Sequence, residues 1–145
     1  MQGKGRITVR GIVQGVGFRP FVYAKACALG ISGTVKNLGS EVEIFARGDN
    51  FEKFLAEVSQ GPPLSRIDFV EVANALQEIP DGFFILPSGS GSLTGMFPPD
   101  IAICDDCVGD IFKKGGRYGN YWATSCVNCG PRYSIICEIP YDRER

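Results

Sequence analysis

The sequence predicts an α+β fold of β-α-β-β-α-β order, two helices over one face of an antiparallel sheet, followed by a small module built on four cysteines. Three observations carry this. Apolar residues alternate over Arg6 to Val13 and then recur at helical spacing beyond a glycine-rich turn; a hairpin and a second amphipathic stretch repeat that order; and two Cys-x-x-Cys pairs stand together after a Gly/Ser/Pro stretch. The order is that of the split βαβ, ferredoxin-like plan.

In the first strand Ile7, Val9 and Val13 fall on one face and Thr8, Arg10 and Ile12 on the other, the period-two pattern of a half-buried strand. The turn Gln14-Gly15-Val16-Gly17 follows. Phe18, Val22, Ala26 and Leu29 form a helical stripe, with Pro20 in the first turn, where proline is tolerated, and Gly30 as the stop. Thr34 to Leu38 reads as a second strand, Asn37-Leu38-Gly39-Ser40 as a turn, and Glu41 to Arg47 as a third strand with Val42, Ile44 and Ala46 inward. Asn50 stands where it caps a second helix, whose Phe51, Phe54, Leu55 and Val58 make one apolar stripe that ends at Gly61-Pro62-Pro63. Ile67 to Val72 and Phe83 to Leu86 supply the last strand material. Ser88-Gly89-Ser90-Gly91-Ser92 has the composition of a flexible linker, closed by Pro98-Pro99. The expected division is therefore a domain over 1–87, a linker over 88–99 and a module over 100–145.

Composition removes whole classes of function. The 145 residues hold 15 Lys plus Arg against 16 Asp plus Glu, nine of each sign up to Pro87, so no broad nucleic-acid-binding surface is expected. No apolar run approaches about 18 residues and no leader is visible, so neither a membrane span nor a secretory signal is expected, and the cytoplasm is the default location. The chain has no histidine, which removes the imidazole that serine-hydrolase and cysteine-protease chemistry would use.

The strongest local signal is Cys104-x2-Cys107, eighteen residues, then Cys126-x2-Cys129. Two thiolate pairs at this spacing complete a tetrahedral site, with Zn2+ the favoured ion; two redox dithiols or a rubredoxin-like iron site are the alternatives. Four protein ligands leave no open position, so the expected role is structural. Tyr118, Tyr121, Trp122 and Tyr133 are expected to form the miniature core of this module, and Cys27 and Cys137 to be inert packed thiols.

The second signal is the run Gly11 to Arg19 at a strand-to-helix junction. A tight turn needs glycine in any case, but amides curling toward one point at a helix N-terminus also cradle a phosphate-sized anion. Arg19 favours the anion: a cation in the first turn opposes the helix dipole by about 0.3–1 kcal/mol unless a negative charge sits between them. Asn37, taken alone, is ordinary turn chemistry before Leu38-Gly39; its alternative is an amide that holds a water beside the loop.

These residues resemble the acylphosphatase family, whose signature Gly-x-Val-Gln-Gly-Val-Gly-Phe-Arg is matched throughout by Gly11 to Arg19, with Gly33-Thr34-Val35-Lys36-Asn37 at the second strand. Thr34 stands where stand-alone acylphosphatases usually carry an aromatic residue. Further on, Pro99-Asp100-Ile101-Ala102, the two cysteine pairs, Cys129-Gly130-Pro131-Arg132-Tyr133-Ser134 and Ile139-Pro140-Tyr141-Asp142-Arg143 are similar to the hydrogenase-maturation carbamoyltransferases of the HypF family. The resemblance implies an acylphosphatase-like fold in which Gln14, Gly15, Val16, Gly17, Phe18 and Arg19 bind a phosphoryl group and Asn37 orients the attacking water. It implies a small acyl phosphate such as carbamoyl phosphate as substrate, and a carbamoyl-accepting hydrogenase-maturation protein as partner of the longer enzyme. It also implies that this chain, with one cysteine cluster, is a fragment or a truncated paralogue. The rivals are a stand-alone acylphosphatase with a zinc tail and a non-enzymatic module that docks protein or RNA.

Overall fold

A computed structural model of the chain describes residues 3–89, 102–126 and 129. Seven elements form the first part: β1 (Gly3–Ile12), α1 (Phe18–Leu29), β2 (Ser32–Leu38), β3 (Glu41–Gly48), α2 (Phe51–Gln60), β4 (Arg66–Ala73) and β5 (Phe83–Ile85). A further helix, α3, spans Asp105–Phe112. The sheet order is β4-β1-β3-β2-β5. β1 pairs antiparallel with both β3 and β4, and β2 with β3, which gives the expected ferredoxin-like arrangement.

The alternation read from sequence is the alternation of burial. Ile7 and Val9 of β1, Val35 of β2, and Val42, Ile44 and Ala46 of β3 meet Phe18, Val22 and Ala26 of α1 and Phe51, Phe54 and Val58 of α2 in one core. Phe54 and Phe83 meet edge-on at 6.1 Å between centroids, a favoured aromatic arrangement. On the opposite face Thr8, Glu43 and Lys36 are cross-strand neighbours. The Glu43 carboxylate, buried there, lies 2.7 Å from Arg6 Nε and 3.0 Å from Lys36 Nζ, so its charge is answered from both flanking strands.

Four expectations change. The sheet is mixed: β5 joins the free edge of β2 in parallel, Gly33 opposite Phe83, because the chain crosses from the β4 edge to the other side of the sheet before forming it. The turn of the hairpin is Gly39–Ser40, shorter than the Asn37–Ser40 expected, while Asn37 lies within β2 as the strand reading had it, opposite Val42. Cys27 is exposed, since it lies one residue, or about 100°, beyond the buried Ala26 on α1. Asn50 occupies the N-cap position of α2, but its side chain makes no capping bond; its Nδ2 donates to the Leu29 carbonyl at 2.9 Å and ties the two helices together.

That last difference gives a prediction. Serine caps a helix as well as asparagine does, but it is too short to reach Leu29, so Asn50→Ser is expected to cost about 0.5–1.5 kcal/mol in urea unfolding. An unchanged midpoint would return Asn50 to a capping role.

Candidate active site and metal centre

The loop between β1 and α1 begins at a bulge. Pairing of β1 with β4 shifts between Arg10 and Gly11, where φ is 135°, and a Cβ at Gly11 would stand 2.0 Å from the Arg66 carbonyl oxygen. Only glycine lets the strand leave the sheet here. The chain then turns through residues 14–17, with Gly15 (φ 72°) and Gly17 (φ 73°) both left-handed. Val16 and Phe18 are buried in the core and pin the loop from inside, so what they offer a ligand is backbone.

Gly17 is the N-cap of α1 and provides no side-chain cap; the first turn carries no acidic residue. The partial positive charge of the helix start is therefore reinforced by Arg19, half-buried in that turn, rather than neutralised.

Hydrogen bonds bring the other candidate to the same place. Gln14 Nε2 donates to the Gly39 carbonyl at 2.7 Å and, more weakly, to that of Glu41 at 3.4 Å, bracing the loop against the turn that follows Asn37. Asn37 is 2% exposed. Its carbonyl accepts from Gly89 N at 2.9 Å, the Gly89 carbonyl accepts from Gly39 N at 3.2 Å, and Arg19 Nη1 lies 3.4 Å from Ser88 Oγ. Loop, hairpin turn and the segment after β5 thus close a ring that contains all the residues from Gln14 to Arg19 and Asn37. Sequence reasoning missed the third member: Ser88 and Gly89 open a Ser/Gly run whose composition is that of a linker, yet both are tied to this ring.

The four cysteines converge within one chain. Cys104 is the N-cap of α3 and Cys107 lies in its first turn. The four sulfurs lie within 4.8 Å of one another, with Cys104–Cys126 at 3.5 Å, Cys107–Cys129 at 3.7 Å and Cys126–Cys129 at 3.9 Å. A tetrahedral ion with metal–sulfur bonds of about 2.3 Å has sulfurs about 3.8 Å apart, so the set fits a metal ion. Burial and then the neighbouring thiols push the Cys107 thiol far up, whereas at Cys129 burial is outweighed by hydrogen bonds from the backbone at Cys126 and Cys104, which leave it at about 6. Sulfurs this close compete for protons, and a dication would let all four ionise.

The expected aromatic core of this module is overturned. Trp122 is 83% exposed, and Tyr118 and Tyr121 are exposed too; Cys107, Thr124 and Cys129 are buried instead. A segment this short encloses its ligands before it encloses anything else. Tyr133 and Cys137 lie outside the described residues. Among the described residues no helix is long and apolar enough to cross a membrane.

A glycine loop at a strand-to-helix junction, on this sheet, defines a class. The chain belongs to the acylphosphatase family, which it matches over residues 5–85, and its enzymatic activity is of the acylphosphatase type. Residues 103–136 match the HypF finger, and an acylphosphatase domain joined to that finger is the arrangement of the N-terminal region of HypF. The chain is 47% identical over 141 residues to the carbamoyltransferase HypF of Rhodobacter capsulatus, covering 97% of this chain and 19% of that protein. It is 50% identical over 72 residues to the acylphosphatase of Archaeoglobus fulgidus, 48% of this chain and 81% of the other. The crystal structure of full-length HypF in the phosphate- and nucleotide-bound form superimposes with a TM-score of 0.83 at 37% identity, over 98% of this chain and 19% of that one. The chain thus spans about a fifth of the length of the HypF proteins it matches.

Proposed function

We propose that this chain hydrolyses carbamoyl phosphate as the first step of a carbamoyl-transfer enzyme that serves hydrogenase maturation in the cytoplasm. The observation that carries the reading is the closed ring joining the glycine loop, Arg19 and the strand end that bears Asn37. The amides of residues 14–19 and the Arg19 guanidinium hold the phosphoryl oxygens, and the Asn37 side chain orients a water in line with the bond to be broken. Water oxygen bonds to phosphorus, the bond from phosphorus to the acyl oxygen breaks, and carbamate leaves; the water's protons end on phosphate and the departing carboxylate.

No histidine is needed, because a mixed anhydride already carries a good leaving group. Orientation supplies up to about 7–11 kcal/mol and each preorganised donor a few more. The carbamoyl acceptor, a partner protein, is proposed for the longer enzyme.

The donor set of Cys104, Cys107, Cys126 and Cys129 suits Zn2+ in a closed, structural role. One zinc per chain is expected, and Cys126→Ser should lose it, since three ligands leave an open position. Acidification below neutrality should release the metal as the thiolates take up protons, and chelation should leave acyl-phosphate turnover at the parent rate. Iron in freshly purified protein, or activity lost in step with the metal, would overturn this assignment.

The function itself is tested by steady-state hydrolysis of carbamoyl phosphate beside acetyl phosphate. Preference for carbamoyl phosphate supports the proposal. Equal use of both supports a general acylphosphatase with a metal-bearing tail, and no turnover with a retained RNA returns the docking module.

A further inference from the structure

We infer that Ser88 is a positioning residue of the acyl-phosphate site, and that the segment following β5 is the third wall of that site rather than the start of a linker; the inference rests on the function proposed above. Composition gives no hint of it, since Ser88 opens a Ser/Gly run. The geometry does. Beyond β5 the chain keeps following β2: Leu86 N donates to the Val35 carbonyl at 2.9 Å, Gly89 N to the Asn37 carbonyl at 2.9 Å, and Gly89 bridges Leu38 in parallel. These bonds hold the segment alongside β2 as far as the turn, and they carry the Ser88 hydroxyl to 3.4 Å from Arg19 Nη1.

A hydroxyl is a neutral acceptor for a guanidinium. It restrains the long Arg19 side chain without competing as a carboxylate would for the charge that must meet the phosphoryl group. The contact is long, so its effect is orientation of Arg19, not a strong bond. Ser88 is also the only member of the ring that contributes a side chain from the segment leading toward the cysteine module, among the described residues.

The test uses the intact chain with Ser88→Ala and Ser88→Thr. The parent is expected to bind inorganic phosphate and to hydrolyse acetyl phosphate; Ser88→Ala should raise both KM and the phosphate inhibition constant about 3–10-fold with kcat within about twofold, as loss of a positioning contact implies. Ser88→Thr, which keeps the hydroxyl, should return both constants to within about twofold of the parent. Circular dichroism checks that all three chains share one fold. If Ser88→Ala matches the parent in KM and in phosphate inhibition, or if the threonine variant fares as badly as the alanine one, Ser88 does not position Arg19. A parent chain that binds phosphate but turns over no acyl phosphate removes the proposed function while leaving the phosphate comparison to decide Ser88; one that binds no phosphate overturns both.

Discussion

Asn37→Ala is expected to lower turnover of acyl phosphates about 100-fold or more while inorganic phosphate still binds within a few fold of the parent. The asymmetry follows from the role. An amide that orients the attacking water meets nothing of the bound phosphoryl group in the ground state, so its removal is felt mainly in the transition state and appears in kcat. The structure limits the collateral damage. Asn37 is paired through its backbone to Val42 and Gly89, and those bonds survive truncation of the side chain. Asn37→Asp is a useful companion, because it keeps the size but places a negative charge where an anion must come, and it should lose phosphate affinity as well. Turnover of Asn37→Ala at the parent rate would reduce Asn37 to a strand residue.

Arg19→Ala is expected to fail differently, with phosphate binding and hydrolysis falling together. In the proposed role the guanidinium offers a planar fork to two phosphoryl oxygens in ground and transition states alike, and loss of a partly buried charge-assisted contact costs on the order of 10²–10³-fold in kcat/KM. Arg19→Lys should recover little of this, since an ammonium lacks the fork and is shorter in reach. The parallel loss in KM and in the phosphate inhibition constant separates it from Asn37→Ala. Parent-like values for Arg19→Ala would remove the catalytic assignment of the loop altogether.

The fold was legible wherever one face of an element is buried. Val42, Ile44 and Ala46 on β3, and Phe51, Phe54 and Val58 on α2, write the period of their element into the sequence, because a one-residue slip would turn them to water. β5 has only three residues, too few to show a period, and its parallel pairing with β2 depends on a chain crossing that no local pattern records. The glycine loop and the cysteine pairs were legible because their chemistry demands particular residue types at fixed spacing.

What escaped is what composition misstates. Ser88 and Gly89 look like linker because small polar residues are shared by linkers and by segments that hydrogen-bond through backbone, and only the bonds to Asn37 and Gly39 tell them apart. Asn50 sits at a helix start, so capping was the natural expectation; the competing acceptor, Leu29 O, comes from another helix and is invisible along the chain. Trp122 and its tyrosine neighbours read as inward because aromatics usually bury, but among the described residues of this module it is Cys107, Thr124 and Cys129 that are buried, around the sulfurs.

In the proposed mechanism water, oriented beside Asn37, attacks phosphorus while the loop and Arg19 hold the phosphoryl group. Hydrolysis of acetyl phosphate by the intact chain in oxygen-18-labelled water tests it most directly. One labelled oxygen is expected in inorganic phosphate and none in acetate, at a rate that Asn37→Ala and Arg19→Ala both reduce. Label in acetate would mean attack at the acyl carbon, and would contradict the assignment of the loop, Arg19 and Asn37 alike.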